Sequence, residues 1–240
     1  MLQLNSTKNL IWIDHHTSSL ELMQGEEIKG FQNTKYAACE LTFAYLYSGE
    51  KMPDIVRYSG LYDSMREADL PKGILKDKKD LLKFQLGSRL VINDLSDAMD
   101  MLKRSSEIDY DAILNEGDTL YQSQVILCKD LFLKDKEFTE IVFILNGKEI
   151  PFVVINQRRL NLSNFEINLL AEGYAGNLSF YHTGKAWSFS IYTESDEVDV
   201  SEIAKHFKGG GHPKASGFIV EDIEFFFQNK VVQISGEIQD

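Results

Sequence analysis

Apolar residues follow two different rhythms along this chain, and the change falls near residue 138. Before it, they recur mostly at helical spacing. Across 36–47, Ala37, Leu41, Ala44 and Tyr45 share one face, and Gly49 supplies a stop signal. Pro53 suits the first turn of the next helix, which runs through Ile55, Val56 and Leu61. Segments 77–91, 96–102 and 110–131 continue the pattern, the last with Ile113, Leu114, Leu120 and Ile126 among its apolar positions. The exception is 9–13, which is apolar on both faces, as a buried parallel strand is. After residue 138 the rhythm shortens. Segments 139–145 and 149–155 are rich in strand formers, and Asn146-Gly147 between them predicts a tight hairpin. Pro151 predicts an edge or irregular position, because proline has no N–H for a ladder. A helix is expected over 163–171, and strands over 178–181 and 187–192 on either side of Thr183-Gly184. Asp199 can cap a helix through Phe207, with Glu202 completing a capping box, and Ile219-Val220 reads as a closing strand.

The expected class is therefore α/β: a partial parallel-sheet domain over 1–112, a helical connector over 113–137, and a smaller α+β domain over 138–240. No internal repeat or low-complexity tract interrupts it. A hydrophobic fraction of 43% and a charged fraction of 26% suit a soluble globular chain. Cys39 and Cys128 lie far apart in helix-like patterns and read as small buried hydrophobes, not a disulfide framework or zinc cluster. No run approaches the ~18 apolar residues that span a bilayer, and the start lacks a signal-peptide layout, so no membrane partner and a cytoplasmic location are expected. The net charge of −12 argues against long duplex nucleic acid, which needs a basic surface to displace counterions. It leaves room for a small phosphate-bearing ligand, since a divalent metal can supply local positive charge.

Two segments carry the chemistry. The first is Asp14-His15-His16, at the C-terminal end of the expected strand, where α/β proteins present residues to ligands. A neutral imidazole is a good ligand for manganese, zinc or iron, and an adjacent carboxylate can orient the ring. Consecutive residues cannot all face one ion, so one histidine could coordinate while the next faces substrate. The second is the run from Lys208 through Gly209, Gly210, Gly211 and His212 to Phe218. Three glycines permit positive φ and bring backbone N–H groups close to a ligand, His212 can donate to phosphate, and Lys208 and Lys214 add charge. Asp63, taken alone, is a helix-end carboxylate. Arg158 and Arg159 could assist phosphate binding but read first as solvated loop charges, and His182 and His206 as surface residues.

In order and context these segments resemble the DHH family of phosphoesterases with its associated C-terminal domain. The resemblance also takes in Ala38-Cys39-Glu40-Leu41, Gly60-Leu61-Tyr62-Asp63, the Trp187–Tyr192 strand and the Val200–Lys205 helix. It implies a metal-dependent hydrolase of phosphodiester or phosphomonoester bonds in short oligoribonucleotides or small nucleotides. His15 and Asp63 would be metal ligands, with Mn2+ the expected ion. Asp14 would orient His15, and His16 would face the water or phosphate. Gly209, Gly210, Gly211 and His212 would hold substrate. Family members carry one histidine and several aspartates before the Asp-His-His. Met1–Ser6 has neither residue, so a fragment, a split gene product or a degenerate homologue is expected. A non-catalytic nucleotide-binding homologue and an inorganic phosphoanhydride hydrolase remain alternatives, and a homodimer stays open.

Overall fold

The computed structural model describes residues 10–134, 139–228 and 230–234. The chain divides into two compact units, Met1–Ser123 and Gln124–Asp240. The class is mixed α/β, with helices filling the first unit and a seven-stranded sheet building the second.

The helices of the first unit are α1 (Thr17–Leu22), α2 (Ala38–Leu46), α3 (Asp54–Asp63), α4 (Lys78–Val91), α5 (Leu95–Lys103) and the first part of α6 (Tyr110–Lys129), which continues past the boundary at Ser123. Their starts are set by local chemistry. The Asp77 carboxylate accepts the Asp80 N–H at 2.8 Å, and Asp94 accepts that of Asp97 at 3.0 Å. Pro53 stands at the N-cap of α3. Helical spacing delivers Ile55, Tyr58 and Leu61 of α3, Leu81 and Phe84 of α4, and Tyr110 and Ile113 of α6 to one core with Leu75. The rings of Tyr58 and Phe84 meet edge-on at its centre, 5.5 Å apart.

The expected strand over 9–13 does not form across its described residues, and Asn9 lies outside them. Ile11 is 47% exposed, and pairing reduces to a parallel bridge between Asp14 and Gln32. The Trp12 and Asp14 N–H groups donate to the carbonyls of Lys29 and Phe31, while the Asn33 N–H donates to Asp14. Gly30, at φ +142°, lets that segment lie against the Trp12 backbone, but a segment so bent cannot extend the ladder.

In the second unit the strands are β1 (Thr139–Leu145), β2 (Lys148–Ile155), β3 (Gly176–His182), β4 (Trp187–Thr193), β5 (Gly210–His212), β6 (Ala215–Val220) and β7 (Val231–Ile234). Their order is β5-β6-β4-β3-β2-β1-β7. β1/β7 and β2/β3 pair in parallel and the rest antiparallel. Asn146 and Gly147 turn the β1–β2 hairpin with φ of +52° and +77°, the double positive φ of a type I′ turn. Alternate residues Phe143, Phe152, Leu178, Phe189, Ile191 and Phe218 form a buried face with Val200, Ile203 and Ala204 of α7 (Val200–His206).

Four further expectations change here. Pro151 lies on an interior strand, opposite Val142. It is tolerated because β3 begins beside Phe152, one residue later, so no ladder there needs its missing N–H. The expected helix over 163–171 is a 3-10 turn, Leu162–Phe165, followed by turns. Glu166 at φ +63° ends it, and the Asn168 side chain takes the Ala171 N–H instead of leaving it to a helix. Asp199 caps α7 through the N–H and hydroxyl of Ser201, at 2.8 and 2.6 Å. Ile219-Val220 belongs to interior β6 and does not close the sheet. A helix α8 (Ile223–Gln228) and β7 follow. Cys128 is buried as expected, whereas Cys39 is exposed. Among the described residues no helix is long and apolar enough to cross a membrane.

Candidate functional site

In the first unit, the Asp14 carboxylate organises its own turn. Oδ1 accepts the backbone N–H groups of His15 at 2.8 Å and His16 at 3.1 Å, and lies 2.8 Å from Nδ1 of the His16 ring. Oδ2 accepts the Trp12 indole N–H at 3.3 Å. Partial burial works against ionisation of Asp14. The His16 ring, the two backbone N–H groups and the imidazole charge together outweigh it and hold the carboxyl below its ordinary value. Asp14 thus meets His16 through the ring and His15 through the backbone. An ionised Asp14 fixes the proton of a neutral His16 on Nδ1 and makes Nε2 the basic nitrogen.

The turn keeps the two rings in edge contact, 4.5 Å between centroids, but gives them different exposure. His15 is 1% exposed, while the His16 side chain is about half exposed. His15 Nε2 lies 3.2 Å from Asp63 Oδ2, at the last residue of α3, and the Asp63 side chain is 59% exposed. Two ligands of one small cation, each ~2.1 Å from it, stand about this far apart. The donor set, one imidazole and one carboxylate with an open side, fits a divalent metal.

A buried ion pair sets where Asp63 stands. The Glu40 carboxylate, 5% exposed, accepts the Ala37 N–H at 3.0 Å and pairs with the Arg66 guanidinium. Arg66 also donates from Nε to Ser64 Oγ at 2.8 Å and from its backbone to Leu61 O, and lies over the Tyr36 ring. Asp63 is therefore bracketed by residues tied to α2. Glu40 can reach this place because residue 60 is glycine: a Cβ there would overlap the Glu40 side chain. These roles of Glu40, Gly60 and Arg66 escape the sequence reading. The available signal is a glycine inside a helix, which costs about 1 kcal/mol against alanine and so calls for a packing reason. Gly60→Ala should accordingly lower stability by about 1–3 kcal/mol in a urea titration, against its helix propensity. A more stable variant would show that the pair does not depend on that space.

In the second unit, the glycine segment is less of a loop than its composition suggests. Lys208 leaves α7 at φ +59°, and the Gly209 N–H returns to Ala204 O at 2.8 Å, which ends the helix. Gly210, Gly211 and His212 then form β5, at the edge of the sheet. Gly209 and Gly211 are required by packing, since a Cβ on either would press on the β6 backbone, and Gly211 also takes φ +145°. His212 O accepts the Ser216 hydroxyl at 2.8 Å. Lys214 turns aside to Asp196, 2.8 Å away, and to Ser195 O, so its charge is largely matched within the fold. Arg158 and Arg159 are exposed, as are His182 and His206. Burial pushes the Cys128 thiol up to about 12, which removes it as a thiolate nucleophile.

No family model matches the chain. One curated relative, the A-adding tRNA nucleotidyltransferase of Aquifex aeolicus, is 36% identical over 88 residues. That match covers 35% of this chain and 10% of the enzyme, so the chain spans about a tenth of the curated relative's length. Among solved structures, the pGpG-specific phosphodiesterase PggH of Vibrio cholerae is similar over 79% of this chain and 70% of its own, with 11% identity and a TM-score of 0.37. An exopolyphosphatase-related protein of Bacteroides fragilis is similar over 93% of this chain and 63% of its own, with 16% identity and a TM-score of 0.43.

Proposed function

We propose that this chain is a metal-dependent phosphoesterase acting on short oligoribonucleotides or small nucleotides. The observation that carries this reading is the approach of buried His15 Nε2 to the open carboxylate of Asp63. These two side chains would hold a divalent ion, in our reading Mn2+. When bound, such an ion polarises a phosphoryl oxygen and lowers the pKa of water. The chain's own groups do the rest. Asp14 pins the turn by its backbone N–H groups, which keeps His15 inward and His16 outward. With Nδ1 held by Asp14, His16 can accept or return a proton at Nε2 beside a phosphate. Gly209, Gly210, Gly211 and His212 would hold another part of the substrate. Their strand lies at the edge of the sheet, where the backbone N–H groups of its glycines can face an anion.

The test pairs manganese titration calorimetry with hydrolysis of a 5′-phosphorylated diribonucleotide by the whole chain. Manganese binding with manganese-dependent release of mononucleotides is the expected result. Dinucleotide binding without hydrolysis at any manganese concentration would favour a non-catalytic nucleotide-binding protein. Release of orthophosphate from pyrophosphate or polyphosphate with no action on the dinucleotide would favour a phosphoanhydride hydrolase.

A further inference from the structure

The strand register puts His212 and a pair of arginines on the same side of the second unit. Residues directly opposite across neighbouring strands share a face of the sheet. His212 stands opposite Ala215, Ala215 opposite Tyr192, and Tyr192 opposite Asn177. Gly210, Gly217, Ser190 and Ser179 form the next row, and Ile219, Ser188 and Tyr181 the one beyond. All lie on the face opposite the Phe180–Phe189–Phe218 core. At Asn177 and Ser179 this face is covered. The Asn177 side chain is tied to Leu160 O and to the Leu162 N–H, and both residues are buried. Toward Ser188, Ser190 and Tyr181 the side chains are only half-buried.

At that open end the segment after β2 brings in Arg158, whose guanidinium lies over the Tyr181 ring, 5.3 Å from its centroid. Arg159 follows with φ +52°, in the left-handed region that a branched or long side chain seldom adopts. Both arginines are exposed, and neither joins an ion pair among the described residues. That is notable in a chain with 37 acidic and 25 basic residues. The surroundings are consistent with local positive potential. A hydrogen bond with Ser188 and the two guanidinium charges bring the Tyr181 phenol below its ordinary pKa. A guanidinium stacked on an aromatic ring keeps its N–H fork for a phosphate, and the ring offers a surface for a base.

We propose that Arg158, Arg159 and Tyr181 form a second nucleotide anchor, which takes the phosphate and base of a residue farther along a short single strand. This rests on the reading that Gly209–His212 holds the first nucleotide. From Gly210, Tyr181 is three strands across and two residues along, roughly 16 Å at ~4.8 Å per strand and ~3.3 Å per residue. A strand joining them has no more than about five nucleotides at the ~3.4 Å spacing of a helical strand, and fewer when extended. The anchor therefore adds affinity with length and then stops.

The experiment is fluorescence anisotropy of the whole chain with 3′-fluorescein-labelled 5′-phosphoryl oligoadenylates of one to eight nucleotides, in EDTA to prevent turnover. For the unaltered chain, affinity should rise from one to about five nucleotides and then level off. In R158A/R159A the rise should flatten, with about a tenfold loss on the pentanucleotide and none on the mononucleotide. Tyr181→Ala should lose part of the same increment, and Tyr181→Phe, which keeps the ring, less. Because these side chains are exposed or half-buried, folding should be unaffected. His212→Ala should weaken every length, the mononucleotide included. If His212→Ala leaves all lengths unchanged, the reading of the glycine strand fails. If R158A/R159A binds every length as the unaltered chain does, or loses the mononucleotide equally, the second anchor is wrong whatever His212→Ala does.

Discussion

Gly117→Ala should destabilise the first unit by about 3 kcal/mol or more, although alanine is the better helix former. The expectation comes from the crossing of α4 and α6. Gly87 and Gly117 face each other there, both buried. A Cβ on Gly117 would overlap Lys83 O, and one on Gly87 would overlap Ile113 O. In each case the obstacle is helix backbone, which cannot turn away as a side chain can. The helices would have to separate and uncover Leu81, Phe84 and Ile113. Lys83 Nζ, 2.8 Å from Asp118, clips the same crossing from the surface and would resist that separation only weakly. Hydrogen exchange on the whole chain is the informative measurement. Amides of α4 and α6 should lose protection while those of β1 to β4 keep theirs. Gly73→Ala is the control: its nearest obstacle is the Tyr58 hydroxyl at 4.0 Å, and it should change stability by less than about 0.5 kcal/mol. Equal stability for Gly117→Ala and Gly73→Ala would mean that the helices do not cross at backbone contact.

The second large effect concerns His15. His15→Ala should lower manganese-dependent turnover at least about 100-fold and abolish the stabilisation that manganese gives the unaltered chain. At one hundred times its dissociation constant, a ligand that binds only the folded state adds about 2.7 kcal/mol. That increment is readable by thermal denaturation without any assay of turnover. Asp63→Asn should behave in the same direction, since it removes the charge that faces His15 Nε2. His16→Ala should keep most of the manganese increment, because its ring is held by Asp14 on the exposed side of the turn. An unchanged manganese increment in both His15→Ala and Asp63→Asn would reject these residues as ligands.

Features set by neighbouring residues were the legible ones. The Asn146-Gly147 turn declares its hairpin because both residues tolerate positive φ. Asp77 declares a helix start by taking an N–H three residues on. Features that depend on distant partners were not legible. Pro151 needed knowledge of where β3 begins, and the irregularity of 10–13 depended on the bend at Gly30. Segment 163–171 has helical spacing, but Glu166 takes φ +63° and the Asn168 side chain captures the Ala171 N–H that a helix would use. At the candidate site, the Asp-His-His turn could be found from local pattern. Asp63 stood out only through resemblance, and the Glu40–Arg66 pair, 26 residues apart, left no local mark except Gly60.

The sheet ends in short strands: three residues of β5 on one side and four described residues of β7 on the other. An unpaired strand edge invites a foreign strand, and shortness is one way to discourage it. The first of these edges is also glycine-rich, which leaves length as a main defence against misassembly. A nucleotide lying along Gly210 and Gly211 would occupy the very backbone groups on which an aggregate could grow. For this protein, substrate and a colloidal stabiliser would then be the same molecule, and the chain should be hardest to keep in solution when its ligand is scarce.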